Sequence, residues 1–80
     1  MDLVELTKEI VMALVSNKDS VSVKEFETDE ENTILIQVMI DEEDMGRVIG
    51  KQGRLAKSIR TVAKSVGARE HKKVSVEFID

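Results

Sequence analysis

Residues 48–54 read Val48-Ile49-Gly50-Lys51-Gln52-Gly53-Arg54, and this stretch decides how the whole chain is interpreted. Its two glycines are three residues apart and lie between segments in which apolar residues have helical spacing. Glycine permits a tight turn in which the backbone approaches a ligand without interference from a Cβ atom. The following helix directs free N–H groups and a partial positive charge at the space above the turn, which favours phosphate. The alternative is a helical corner that needs glycine only for its geometry.

Basic residues in and beside the turn favour the phosphate interpretation. Lys51 and Arg54 add full charges, and Gln52 adds hydrogen-bonding capacity. The net charge of the chain is −4, yet residues 1–44 carry three basic and thirteen acidic side chains, whereas residues 45–73 carry nine basic and one acidic. This asymmetry indicates a polyanion partner for one surface, although composition alone is equally compatible with two solvated faces.

Helical patterns flank the turn on both sides. The four acidic residues 41–44 suit the first turn of a helix and its positive dipole end, which predicts a short helix through Ile49. A second helix is predicted from Arg54, with Gly67 as its C-cap. The apolar stripe of this second helix is predicted to be mostly core, although six apolar residues in twelve positions are more than one covered helix face needs; they are Leu55, Ala56, Ile59, Val62, Ala63 and Val66.

The remaining segments predict one more helix and three strands. Residues 3–15 form an amphipathic pattern for which Asp2 is a plausible N-cap. Val21 and Val23 begin a first strand whose alternation slips before Phe26, which predicts an irregularity there. Residues 33–40 are apolar on both sides at most positions, as in a central strand, and residues 73–79 alternate as a third strand.

The element order is therefore α-β-β-α-α-β. Helices packed on one face of a three-stranded sheet are the economical arrangement for this order, which gives an α+β fold class. Eighty residues suffice for one domain, so residues 1–80 are expected to form a single unit.

At this point the sequence resembles the K-homology (KH) family. Residues 48–53 are similar to its V-I-G-x-x-G signature, and the element order is similar to the type II KH fold of bacterial proteins. In length and in residues 48–61, the chain resembles the small stand-alone bacterial KH-domain RNA-binding proteins.

The resemblance implies that about four unpaired nucleotides bind in a narrow groove while the glycine loop clamps their backbone. The opposite wall of the groove is expected in the central strand, among residues 36–40. Carried over position by position, the expected RNA-binding residues are Arg47, Ile49, Gly50, Lys51, Gln52, Gly53, Arg54, Leu55 and Lys57.

Aromatic stacking is not expected to contribute to binding. Phe26 and Phe78 are the only aromatic residues, and both are predicted to lie in the core. A stacking platform needs exposed aromatic side chains, so bases are expected to be held by aliphatic contacts and by hydrogen bonds at their edges.

Catalytic and metal chemistry are not indicated. The chain has no cysteine and a single histidine, His71, which is read as a surface or phosphate-adjacent residue. The carboxylates of residues 29–31 and 41–44 lack the spacing of a calcium loop. No enzyme activity, cofactor, metal, small-molecule substrate or membrane association is expected, and a cytoplasmic location is the default expectation.

The resulting hypothesis is a single-stranded RNA-binding protein that acts as an RNA chaperone or post-transcriptional regulator. The resemblance implies a homodimer and a possible heterodimer with a larger KH-containing RNA-binding protein. The alternatives are a KH-fold interaction adaptor in a cell elongation or division pathway, and a single-stranded DNA binder. An intact Lys51-Gln52 loop favours RNA over the adaptor.

Overall fold

A computed structural model describes residues 2–79, with the side chains of Lys51 and Gln52 outside the described part. None of the described helices is long and apolar enough to cross a membrane. A short 3-10 turn, Lys18–Ser20, precedes the first strand. The other elements are α1 (Leu3–Leu14), β1 (Ser22–Glu27), β2 (Thr33–Met39), α2 (Glu42–Arg69) and β3 (Lys73–Ile79).

Helix α1 begins where the sequence predicts. The Asp2 side chain accepts a hydrogen bond from the N–H of Val4 at 2.9 Å, which satisfies one of the unpaired amides of the first turn. Its buried face carries Leu3, Thr7 and Val11, spaced by four residues. The Thr7 hydroxyl donates to the carbonyl of Leu3 at 2.8 Å, so this buried polar group is satisfied within the helix.

The sheet has the order β1-β2-β3, which confirms β2 as the central strand. β1 pairs with β2 antiparallel, and β2 pairs with β3 parallel. Side chains alternate between the two faces of a strand. On β2, Ile34, Ile36 and Val38 are buried beneath the helices, and their partners Val74 and Val76 on β3 are buried beside them.

Strand β1 differs from the sequence expectation. It pairs continuously from Ser22 opposite Met39 to Glu27 opposite Ile34, in place of the predicted irregularity. This register sets Phe26 opposite Leu35, on the face of the sheet that points away from the helices, and 43% of Phe26 is exposed. The prediction that Phe26 lies in the core is therefore wrong.

The second phenylalanine lies where the sequence predicts. Phe78 stands opposite the buried Val38 on the helix side of the sheet and packs against the core. The guanidinium of Arg60 lies 5.3 Å from the centre of its ring, a cation–π distance. Arg60 Nε also donates to the carbonyl of Val76 at 3.2 Å, so α2 is joined to β3 at this point.

The two helices expected on either side of the glycine loop are joined in one helical segment, α2. Gly53 interrupts its regular geometry, because its φ is 70°. Residues of regular right-handed helical geometry have negative φ, and only glycine adopts a positive φ without a steric cost. The sequence prediction of a glycine-dependent break is in this respect confirmed at Gly53.

The carboxyl end of α2 lies beyond the predicted cap. The helix passes Gly67 and ends at Arg69, and His71 takes the left-handed conformation with φ of 61°. The N–H of His71 donates to Ala68 O and the N–H of Lys72 to Gly67 O, which is the hydrogen-bond pattern of a Schellman motif. Gly67 instead permits close packing, since a Cβ atom there would overlap the Val74 side chain.

Candidate nucleic-acid interface

The first turn of α2 positions the glycine-rich segment. Asp41 is the N-cap, and its carboxylate accepts a hydrogen bond from the N–H of Asp44 at 2.8 Å. Glu42, Glu43 and Asp44 follow, so negative charge lies at the positive end of the helix dipole, as the sequence predicts. The Asn17 side-chain amide donates to the Asp41 carboxylate, which links this cap to the segment after α1.

Asp44 does more than complement the dipole, because its side chain is fully buried. One carboxylate oxygen accepts the N–H of Ser16 and the other the N–H of Asn17, each at 2.9 Å. These hydrogen bonds hold the pKa of the Asp44 carboxyl below its usual value; the nearby Arg47 charge acts in the same direction, while burial opposes it. Asp44 therefore joins the start of α2 to the segment that follows α1.

Arg47 takes its position from the same contacts. Its guanidinium donates to the Ser16 hydroxyl at 2.8 Å and lies 3.9 Å from the Asp44 carboxylate. Half of the side chain stays exposed, so the charge still reaches solvent. The buried carboxylate thus orients a cation beside the glycine-rich segment.

A surface cleft of about 470 Å³ lies at this segment, and its walls combine glycine backbone, two arginines and one aliphatic side chain. An added Cβ atom at Gly46 or Gly50 would meet no other atom within 4 Å, so the space above both residues is open. A phosphate backbone can approach the helix closely at such a surface. The residues that line the cleft are Gly46, Arg47, Gly50, Arg54 and Leu55.

The structure brings together four of the nine predicted site residues in this cleft: Arg47, Gly50, Arg54 and Leu55. Gly53 lies beside them, partly buried. The side chains of Lys51 and Gln52 lie outside the described residues, so their predicted contacts stay predictions.

Ile49 and Lys57 lie apart from the cleft lining. Ile49 is a large apolar residue that is 51% exposed, and it is adjacent to the first glycine of the loop. It is two residues from Arg47, which places it roughly 160° away around the helix. Ile49 therefore lies on a different flank of α2 from Arg47, and Lys57 is an exposed cation three residues after Arg54.

Gly46 lines the cleft but is not among the site residues predicted from the sequence. It precedes Gly50 by four residues, and residues four apart lie on the same face of a helix. A third glycine at helical spacing was the available signal. Glycine in a helix interior destabilises a protein by roughly 0.5–1 kcal/mol relative to alanine. At Gly46 the absence of a side chain keeps the space above the helix open.

The predicted opposite wall in the central strand is wrong. Ile36, Val38 and Ile40 are buried under the helices and are inaccessible to a nucleic acid. Gln37 and Met39 alternate with them and point to the other face of the sheet. The error arises because the helices cover one face of β2, while the other face of the strand points away from the helices and the cleft.

The acidic segments do not form a metal-binding cluster within the described residues. Within residues 2–79 as described, no group of three or more histidine and carboxylate side chains converges. The carboxylates of residues 41–44 are engaged as helix cap, dipole partners and buried acceptor.

Comparison with known proteins identifies similar chains. Residues 4–78 match the family model described as KhpA/KhpB, KH domain. The RNA-binding protein KhpA of Caldanaerobacter subterraneus subsp. tengcongensis is 48% identical over 75 residues, which cover 94% of this chain and 97% of that protein. The RNA-binding protein KhpA of Aquifex aeolicus is 42% identical over 79 residues, which cover 99% of this chain and 94% of that protein.

A solved structure also resembles the fold. It is Era in complex with MgGDPNP and nucleotides 1506–1542 of 16S ribosomal RNA. The TM-score is 0.63 and the identity 26%, and the match covers 95% of this chain but only 28% of the Era chain. The likeness therefore concerns one part of that larger protein.

Proposed function

This chain belongs to the KhpA/KhpB family of KH domains, and from that premise we propose that it is a non-enzymatic RNA-binding protein. Its partner is single-stranded RNA, of which the loop of residues 50–53 grips about four nucleotides. Arg47 and Arg54 attract the phosphates, Gly46 and Gly50 admit them, and Ile49 and Leu55 contact bases.

The observation that carries this proposal is the open space above Gly46 and Gly50 between two arginines. A structural corner would need glycine only where the backbone conformation requires it, and here that applies to Gly53 alone. Gly46 and Gly50 need no unusual φ, so their missing side chains serve a surface that another molecule approaches.

Salt dependence tests this grip. A strand held at four nucleotides has about two to four of its phosphates neutralised, so the slope of log affinity against log salt is expected to be about −1.4 to −2.8. The measurement is a titration of a labelled short single-stranded RNA at several salt concentrations. A slope of zero, or tighter binding to duplex RNA than to single strands, would contradict the proposal.

The cellular role that we propose is that of an RNA chaperone or post-transcriptional regulator in the cytoplasm. The nine basic residues of the segment 45–73 support a nucleic-acid partner over a purely protein-directed adaptor. RNA and single-stranded DNA are separated by competition with matched oligonucleotides, because only RNA carries the 2′-hydroxyl.

We further propose that the protein acts as a homodimer, or pairs with a larger KH-containing protein, through the side of α2 that faces α1. Val62 is 40% exposed there, and with Leu6, Val66, Arg69 and Glu70 it lines a groove of about 430 Å³. An 80-residue chain buries only ~60% of its unfolded surface, so association adds to a small core.

Substitution of Val62 by aspartate tests the dimer. The carboxylate would have to be desolvated at the interface, so Val62→Asp is expected to give a folded monomer. Thr61→Asp is the matched control on the adjacent exposed position and is expected to leave the dimer intact. Ala63 is 2% exposed, so Ala63→Asp is expected to unfold the domain instead.

Sedimentation combined with circular dichroism separates these cases. A wild-type protein that stays monomeric at high micromolar concentration would remove the homodimer proposal. A Val62→Asp variant that still dimerises would place the interface on another surface.

A further inference from the structure

We propose that a cluster of three lysines at the carboxyl end of α2 is a second phosphate-binding surface, which extends the bound RNA beyond the four-nucleotide grip. The cluster consists of Lys64, Lys72 and Lys73. This inference rests on the proposed function, because it assigns the path of the same RNA once it leaves the glycine loop.

The three lysines converge on one surface depression. It has a volume of about 430 Å³, and the hydroxyl-bearing residues Thr33 and Ser75 also line it. All three lysines are exposed. Ammonium and hydroxyl groups are the donors that proteins offer to phosphate oxygens, and they position a strand without reading its sequence.

Positive charge is in excess at this depression. Its lining has three lysines against one carboxylate, Glu30, and Glu27 joins Glu30 beside Lys72 in the adjoining depression. Among the residues that the structure describes, the one salt bridge joins Arg47 to Asp44, so none of these lysines is engaged by a carboxylate there. Their charges are therefore available to an external anion.

A line of cations connects the cluster to the loop. Arg54, Lys57 and Lys64 are exposed, and their spacings of three and seven residues place them on one side of α2. No acidic residue occurs in the sequence between Asp44 and Glu70. The RNA path along this side consequently meets no opposing charge from α2 itself.

The length of this path sets the minimum length of RNA that can reach the lysine cluster. Ten residues separate Arg54 from Lys64, which corresponds to about 15 Å along a helix. The stacked strands of B-form DNA advance by about 3.4 Å per phosphate, and an unpaired strand extends farther, so about four further nucleotides suffice to cover this distance. The cluster therefore contacts RNAs of about eight nucleotides or more and leaves shorter ones unaffected.

The proposed dimer surface does not compete for this path. Val62 and Lys64 are two residues apart and point roughly 160° away from each other around the helix. A partner seated over Val62 leaves the lysine side of α2 open.

The test compares three proteins and two RNAs. The proteins are the wild type, the triple variant Lys64→Gln/Lys72→Gln/Lys73→Gln, and a control with Lys8→Gln/Lys18→Gln/Lys24→Gln. The control removes three exposed lysines from the acidic part of the chain and changes the net charge equally. The RNAs are labelled unstructured oligouridylates of about five and about twelve nucleotides.

The readout is the salt slope of binding, because affinity alone rises with length when a longer strand offers more registers. For the wild type and the control, the slope for the longer RNA is expected to exceed that for the shorter by about 2, from three phosphates at about 0.7 each. The Lys64/Lys72/Lys73 variant is expected to lose this difference and to bind the short RNA as the wild type does.

Equal slopes for both RNAs in the wild type, or an equal loss in the control, would overturn the inference while leaving the loop function in place. Failure of the wild type to bind either RNA would overturn the proposed function and this inference together.

Discussion

The double substitution Lys51→Asp and Gln52→Asp is expected to abolish RNA binding and to leave the fold intact. Gly53 supplies the unusual backbone geometry with its φ of 70°, and neither it nor Gly50 is changed. Reversing one charge at about 4 Å from a phosphate changes the interaction by about 2 kcal/mol even at the dielectric constant of water. Affinity should therefore fall by at least about 30-fold, and further with the second carboxylate.

A control makes this result specific to the loop. Ser20→Asp combined with Lys24→Asp makes the same change of three charge units at exposed positions in the acidic part of the chain. It should bind RNA nearly as well as the wild type, and both variants should keep their melting temperatures within a few degrees, as exposed substitutions usually do. Gel shift and thermal melts are the measurements.

Binding by the loop variant at wild-type affinity would show that the loop is a structural corner and that RNA binds elsewhere. If RNA binding were lost while a cellular role survived, the interaction-adaptor alternative would replace the regulator.

The second large effect is expected at Asp44. Replacement by alanine leaves the partly buried N–H groups of Ser16 and Asn17 without their acceptors, and an amide that loses its partner where water has limited access is costly. Replacement by asparagine preserves the shape but directs an NH₂ group at one of those N–H donors. Both variants should melt lower than the wild type by more than about 5 °C. Glu43→Gln, at the exposed neighbouring position, is the control and should change little.

The Asp44 effect should depend on pH in a defined direction. Its folded pKa lies below the usual aspartate value, so the ionised carboxylate contributes stability in full above an unfolded pKa near 3.9. That contribution is lost as the pH falls through the lowered folded pKa. The stability difference between wild type and Asp44→Asn should hence be constant near neutral pH and shrink below about pH 4. A difference that stayed constant to pH 2 would contradict the role assigned to the charge.

Several elements can be predicted from the sequence because the residues that determine them are close together in the chain. The Asp2 cap depends on residues within one turn, and the β3 bounds on strict alternation from Lys73 to Ile79. The position of Phe26 cannot be predicted from local sequence, because Val21, Val23 and Phe26 do not share one alternating pattern. Only pairing with β2 determines the face of Phe26.

The candidate site was predicted in part for the same reason. Loop glycines flanked by basic residues carry a recognisable pattern, whereas the four acidic residues 41–44 look alike in the sequence. Asp44 is the one that is buried, because backbone amides 27 and 28 residues away donate to it. Every residue type except proline has a backbone amide, so the sequence does not reveal these partners. Gly67 is similar, since its close neighbour Val74 lies on β3.

From the parallel pairing of β2 with β3 we expect the chain to fold in a definite order. β1 and β2 are joined by five residues, 28–32, whereas the 33 residues 40–72 separate β2 from β3. For flexible loops, closing the longer one costs about 1.7 kcal/mol more in chain entropy. The β1–β2 hairpin can form first, and docking of β3 is the slow, non-local step. The contacts of Arg60 and Gly67 with β3 form only in that step, so we expect the carboxyl half of α2 to become rigid last.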